Sequence, residues 1–462
     1  MQRLLAIAWL TWKAAFRFRL FLVVAVLLLA AVVGLPLLLK DDGTARGFTQ
    51  ILITYTLSVI TALLGLSTLW LSCGTLARDI EECQMQVVAT KPIARWQIWL
   101  GKWLGIMSLN AALLALSGGC VLGLLYWRAA GLPVAEQKIL REQVLVARSS
   151  AKPRNFDAEI DAQTEQILQE RLKTTPVGKA DVAEVRRLIR EQVKAQYQLV
   201  PPAYSREWQI DLGFAKNFLR DRPLQLRVKF NTAGKSASGT FLALWRVGAP
   251  DTGKVWQTEV PMSLAPDTFH EFEIPPGLFD SKGVLTIDFL NANNTSLLFP
   301  LEDGMEVLYP EGSFMLNYVR GLMIIFCWMA LLAAIGLASA SFLSFPVAAF
   351  FSLAMLVVAF SSGTLADAVE SGTVVGGNEE TGVMGHSVAD AVLIPVFKGF
   401  LVVIHLVQGF SPIDSLSSGR AIPWSELGMA FVQIVLLLGG IIGLIGIGLF
   451  SRRELATAQG NQ

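Results

Sequence analysis

The side chains able to do covalent, metal or phosphate chemistry are few in this chain and widely spaced. The four cysteines are Cys73, Cys83, Cys120 and Cys327. Three of them sit in apolar runs, where a lone cysteine reads as a small buried hydrophobe. The histidines, His270, His386 and His405, are far apart and lack cysteine or carboxylate partners at ligand spacing, so no metal is expected. The nearest approach to a phosphate loop is Gly234-Lys235-Ser236. Such a loop needs a glycine five residues before Gly234, and Lys229 stands there, between flanks that read as strand, turn, strand. Neither a Gly-x-Ser-x-Gly elbow nor a His-Glu-x-x-His pair occurs. The reading is a chain that is not an enzyme, with no cofactor and no nucleotide site of its own.

The elements that would position any site are mostly apolar. Of 462 residues 53% are apolar, and 75 are charged, 38 basic and 37 acidic, or 16%, where a soluble protein carries about 25%. That deficit excludes an ordinary soluble enzyme. The 185 residues from Arg128 to Gly312 hold 47 of the charges, so two polar-poor blocks flank one domain of soluble composition. This domain has no cysteine and so no disulfide framework. A net charge of +1 and a pI near 7.6 offer no basic surface, and no nucleic-acid partner is expected.

Crossing about 30 Å of hydrocarbon takes roughly 20 apolar residues as helix. Leu20 to Leu39, Ile51 to Gly74, Leu104 to Trp127, Gly321 to Ser341 and Gly428 to Phe450 qualify, and Phe345 to Ser362 follows the fourth run as a helical hairpin. A seventh stretch, Ala391 to Phe410, carries Pro395, Lys398 and His405. With six crossings both basic ends, Arg3, Lys13, Arg17, Arg19 and Arg452, Arg453, share the cytoplasmic side. Ala391 to Phe410 is therefore read as re-entrant or interfacial at the outer face. The N-terminal lead is too long for a cleaved signal. Arg3, Lys13 and Arg17 fall in one helical sector and Trp9, Trp12 and Phe16 in another, which suggests a helix in the inner headgroup layer, or a basic flank that only fixes orientation. Arg320 and Lys102 sit only at span edges and no span interior carries a charge, which counts against an ion-coupled transporter.

Between the second and third spans runs Thr75 to Gly105. Leu76, Ile80, Cys83 and Val87 recur at helical spacing while Asp79, Glu82 and Gln86 line another face. This predicts an amphipathic helix of about four turns, ended by Pro92. It could dock a partner or merely cover its neighbours. Here the sequence resembles the permease subunits of ATP-binding-cassette type-2 exporters. The likeness rests on Arg78-Asp79-x-Glu81-Glu82, Thr90-Lys91-Pro92-Ile93-x-Arg95-Trp96, Gly101-Lys102, Gly409-Phe-Ser-Pro-Ile and the ending Phe450-Ser-Arg-Arg-Glu-Leu-Ala456. It covers Met1 to Trp127 and Phe314 to Ala456. The resemblance implies a coupling helix over 75–90, where Arg78, Asp79, Ile80, Glu81, Glu82, Gln86 and Val87 would bind a separate cytoplasmic ATPase subunit. It also implies a second permease copy and an outer gate around Pro395, Lys398 and His405. The place would be the bacterial inner membrane, with both termini cytoplasmic. The insertion after the third span departs from a minimal member of that family.

The fold class expected is a polytopic α-helical membrane protein of six spans with an extracytoplasmic α+β insert. In order, the parts are 1–19 (interfacial helix), 20–127 (spans one to three), 128–200 (helical segment), 201–312 (β-sandwich), 313–362 (spans four and five), 363–427 (outer loop) and 428–462 (span six and tail). Within the insert, Val134 to Arg148, Asn155 to Lys173 and Lys179 to Gln198 read as helices. Phe156, Ile160, Ile167 and Val182, Val185, Ile189, Val193 form narrow seams that would pair with each other or with a second copy. After Pro201-Pro202, period-two segments such as Leu224-x-Leu226-x-Val228 suggest about eight strands in a two-sheet sandwich or jelly roll. Trp208, Trp245 and Trp256 could stack on a glycan, or pack in the core; His270 reads as packed. The functional expectation is an exporter permease driven by a partner's ATP hydrolysis. The alternative is a non-transporting complex that relays ATPase strokes to an envelope partner through the sandwich.

Overall fold

The computed structural model describes residues 2–17, 20–38, 44–82, 84–85, 93–174, 181–232, 234, 238–248, 253–371, 374 and 389–453. The chain forms two compact units, Met1–Ala147 with Gly312–Gln462, and Arg148–Glu311. Its main helices are α1 (Gln2–Arg17), α2 (Leu20–Leu38), α3 (Ala45–Glu81), α4 (Arg95–Ala129), α5 (Asp157–Thr174) and α6 (Asp181–Gln198). After the inserted unit follow α7 (Phe314–Ala340), α8 (Phe345–Phe360), α9 (Ser362–Ser371), α10 (Asp390–Gln408) and α11 (Trp424–Arg452), the last containing a π-helical stretch at Phe431–Gly439.

The first unit is helical. Among the described residues five helices are long and apolar enough to cross a membrane: Gly47–Glu81, Arg95–Ala129, Phe314–Ala340, Asp390–Ser417 and Trp424–Arg452. The pair Phe345–Phe360 and Ser362–Val369, bent by 63°, makes a sixth if counted as one. Length alone thus admits the Ala391 to Phe410 stretch set aside on parity, and falls short at Leu22–Pro36 in α2. With 37 residues, α3 is about 55 Å long at 1.5 Å per residue. Thr44 starts it, its hydroxyl accepting from Gly47 N. Small residues set the packing of α3 on α7: a Cβ on Gly336 would fall 1.9 Å from Ser72 Oγ, so only glycine allows that approach.

Polar contacts sort the helix ends of this unit into two groups. At one end Asn317 Nδ2 donates to the Arg420 carbonyl and Arg320 Nη1 to that of Ile422, near the start of α7. Tyr318 bonds the Gly118 carbonyl of α4, and Glu136 accepts from Ala45 N at the start of α3. The other end joins the C-termini of α3, α7 and α11 to the N-termini of α4 and α8. Gln408 Nε2 at the close of α10 donates to Ser362 Oγ just past α8, at 2.8 Å.

The second unit is mixed. A five-stranded sheet runs Ser205–Asp211, Val284–Asn291, Phe241–Gly248, whose far edge pairs with Val255–Gln257 and Met262–Leu264. A four-stranded sheet orders Val146–Ala151, Met305–Ser313, Leu224–Val228 and His270–Ile274, and a small three-stranded ribbon centres on Leu297–Leu298. Alternating residues of both larger sheets, among them Trp245, Ile287 and Phe289 on one and Leu226, Val228 and Val307 on the other, fill one apolar cluster. The opposite face of the four-stranded sheet buries charge in pairs. Arg148 reaches Glu271 at 2.9 Å, Arg227 reaches Glu306 at 3.1 Å and Ser150 donates to Glu306. Helices α5 and α6 pack on each other through Ile160, Leu168, Ile189 and Val193, with Arg190 bonded to Asp161 across the seam.

Two local readings are corrected. The helix read over Val134 to Arg148 stops at Ile139, turns through a π-helical stretch to Val144, and gives way to the strand Val146–Ala151. The Ser149-Ser150-Ala151 breaker belongs to that strand. Tertiary pairing decides it, because Arg148 and Ser150 find their carboxylates only from a sheet edge.

Candidate functional site

Of the loop residues singled out above, Arg78 to Glu81 form the last turn of α3 and Glu82 is its C-cap, and those four helical residues have work inside the helical unit. Asp79 follows Thr75 by one turn, so Lys102 Nζ on α4 reaches both, at 2.5 Å to Asp79 Oδ2 and 2.7 Å to the Thr75 carbonyl. The Lys102 side chain is 8% exposed and that of Asp79 31%. Glu81 Oε1 accepts from Phe345 N at 2.8 Å, putting a carboxylate where the first turn of α8 leaves its N–H groups unpaired. The Arg78 guanidinium lies 4.3 Å from the centroid of the Phe345 ring, a cation–π contact worth roughly 0.5–1 kcal/mol. Ile80 packs on the core. Glu82 is exposed and accepts from Gln84 Nε2. Gln86 and Val87, like Cys83, lie outside the described residues.

Arg95, seven residues before Lys102 and on the same helical face, carries the fastening further. Its Nη1 donates to the carbonyls of Phe450, Ser451 and Arg453 at 2.7 to 2.9 Å, placing a cation where α11 ends in unpaired carbonyls. Arg453 Nη1 in turn reaches the carbonyls of Ala340 and Ser341 at the end of α7. Five helix ends are thus joined by charged hydrogen bonds into one plate, with Glu82 at an exposed corner. Sequence reasoning put Lys102 at a span edge and gave Arg95 no task. Helix length adds to that reading: α4 begins at Arg95, so Lys102 lies two turns inside the helix and is 6% exposed. The spacing of seven between two cations was the available signal.

The separate amphipathic helix expected from Thr75 is corrected in its first half. Thr75 to Glu81 continues α3 without a break, because Leu76 and Ala77 are buried in the same core as the apolar turns before them.

Helix α1 packs with one face on α4 and leaves the other exposed. Gly101 and Gly105 of α4 lack the Cβ atoms that would come within 2.8 Å of Ile7 and 2.7 Å of Thr11. Trp12 Nε1 donates to Ser108 Oγ at 2.6 Å. The two helices therefore advance together, α1 lengthwise along the start of α4. The buried stripe is Ile7, Thr11 and Ala15, while Trp9 and Phe16 are exposed. Hydrophobic periodicity highlights large side chains and passes over this small-residue seam. Lys13 Nζ sits 5.9 Å from the Trp9 ring, Arg3 is exposed, and the Arg17 side chain is outside the described residues.

Between α1, the end of α3 and α4 lies a cleft of about 810 Å³, with Arg3, Arg78, Asp79 and Lys102 among its lining residues. Pro395, Lys398 and His405 are exposed along one side of α10, whose Leu401 and Ile404 pack on Leu365 of α9. In the second unit Trp208 and Trp245 are 6% and 1% exposed, so neither offers a glycan-stacking face. They are core residues, as packing against Phe289 and Phe299 requires. Trp256 is half-buried and stacks on Phe272. His270 opens the strand His270–Ile274, and its Nε2 lies 2.8 Å from the Ala265 carbonyl of the preceding turn. Gly234 lies between strands, its N–H bonded to Thr232 Oγ1; Lys235, Ser236 and His386 are outside the described residues. Cys73 and Cys327 are buried, and no group of three or more metal-ligating side chains occurs among the described residues. Set against known proteins, the chain matches no family model, no curated protein and no solved structure.

Proposed function

We propose that this chain is the membrane-spanning permease subunit of an ATP-binding-cassette exporter, paired with a second permease copy and driven by a separate ATPase that docks at the α3 end. The observation that carries the reading is the plate of fastened helix ends. A displacement applied at Glu82 enters a 37-residue helix and, through Lys102, Glu81, Arg95 and Arg453, four other helices. A coupling element needs that rigidity.

Two further features support the membrane plan. The cations Arg78, Arg95, Lys102 and Arg453 gather at this end, as a cytoplasmic face prefers. The Gln408 to Ser362 bond returns the chain, after α9 and α10, to the level where α8 stopped. Residues 362–408 then add no net crossing, and α2, α3, α4, α7, α8 and α11 make six. On this plan the second unit is an extracytoplasmic sandwich. The non-transporting reading, in which strokes act on an envelope partner through that unit, shares the same plate.

The test co-expresses the full chain with its candidate ATPase. Glu82→Lys changes the exposed corner without touching the pairs within the plate. It is expected to weaken co-purification or uncouple hydrolysis, with the amount in the membrane unchanged, while reporters after Gln462 and at Gly234 report opposite sides. A stoichiometric, fully coupled Glu82→Lys complex, or reporters on one side, overturns the reading.

A further inference from the structure

The cleft beside α1 has a direction. Its lining along α3 changes from Glu82, Asp79 and Arg78 to Gly74, Leu71 and Trp70, twelve residues or roughly 18 Å of helix. Arg3 joins the charged part from α1, and Ala14 and Ala15 the apolar part, where the Lys13 stem also enters the lining with its amine 5.9 Å from the Trp9 ring. The volume of about 810 Å³ falls within the range of roughly 300–1,000 Å³ that holds organic ligands. Ala15 and Leu71 also line a second cavity of about 10 Å³, room for about one water. There Asn110 Nδ2 is buried with no partner, its Oδ1 accepting from Thr68. The apolar part thus ends at a polar stop and has a set length.

We infer that this cleft binds one phospholipid of the surrounding bilayer, its phosphate at Arg3 and Arg78 and one acyl chain between α1 and α3. A charged mouth opening on an apolar channel matches an amphiphile, whereas a soluble anion would leave the channel unused and a docked protein segment would need polar partners along it. Asp79 is held by Lys102, so Arg3 and Arg78 outnumber the remaining carboxylate of the mouth, Glu82, and the mouth keeps a net positive charge for the phosphate. The inference requires only that the helical unit sits in a membrane, and stands apart from the ATPase reading.

The probe is single-chain lysophosphatidylglycerol, titrated onto the delipidated full chain in detergent and read by native mass spectrometry. One saturable copy per chain is expected. Arg3→Glu, on an exposed side chain, should weaken it at least ten-fold, and Ala14→Trp, which fills the channel, should abolish it. Leu5→Trp, outside the cleft lining, should leave it unchanged. Inorganic phosphate should not compete at equal concentration. Competition by phosphate would show a simple anion site and overturn the inference. Lipid binding insensitive to both Arg3→Glu and Ala14→Trp would show annular lipid only, and displacement of lipid by the ATPase in parallel with its docking would show a protein-docking cleft; either also overturns it.

Discussion

Breaking the Asp79 to Lys102 pair should destabilise the helical unit itself, and the size of the effect follows from its burial. Removing one partner of a fully buried ion pair costs about 3–5 kcal/mol, because the other charge is left in a poor solvent. Lys102 is close to that limit, but Asp79 is 31% exposed, which restores part of its hydration and screens the attraction. We therefore expect about 2–3 kcal/mol for Asp79→Asn, which keeps an acceptor oxygen but leaves the Lys102 charge without its counter-charge. Lys102→Met should cost less, since the exposed side of Asp79 can turn to water. Asp79→Asn with Lys102→Met should recover much of the loss, giving a coupling energy above about 1 kcal/mol in a double-mutant cycle. Denaturation of the purified full chain in one fixed detergent measures all four states. Additive effects below about 0.5 kcal/mol would refute the reasoning and return Asp79 to the role of a free docking charge.

Two other outcomes concern the second unit. Trp245, 1% exposed at the centre of its aromatic cluster, should cost about 3–5 kcal/mol when changed to Ala, and half-buried Trp256 much less, by thermal melts of the full chain; equal losses would contradict the core assignment. Asp288 is pushed above the usual carboxylate range by burial and by Glu207 opposite it, partly offset by Arg246. Its ionised form is disfavoured in the fold, so the penalty is present at neutral pH and disappears as pH falls through its raised pKa toward the unfolded value near about 4. Asp288→Asn should accordingly raise the melting temperature at pH 7 and lose that advantage near about pH 4. A constant difference across that window would exclude the titration.

Much of the architecture was legible from periodicity. Runs such as Gly321 to Ser341 cannot bury their backbone in lipid except as helix, and Leu224-x-Leu226-x-Val228 alternates because strand side chains point to opposite faces. The charged cluster at Arg78 to Glu82 was equally visible as a candidate site. What each of those charges touches was not, because hydrogen-bond partners 23 or 264 residues away leave no local pattern. Only the tertiary structure shows that Asp79 faces Lys102, that Glu81, although exposed, caps α8, and that Glu82 is exposed beside Gln84. The same holds for α1: its large side chains announced an amphipathic helix, but which stripe is buried depends on Gly101 and Gly105 of another helix. Sequence sets which segments must leave water. Packing, which acts between residues distant in the chain and rewards small side chains as much as large ones, decides what they meet.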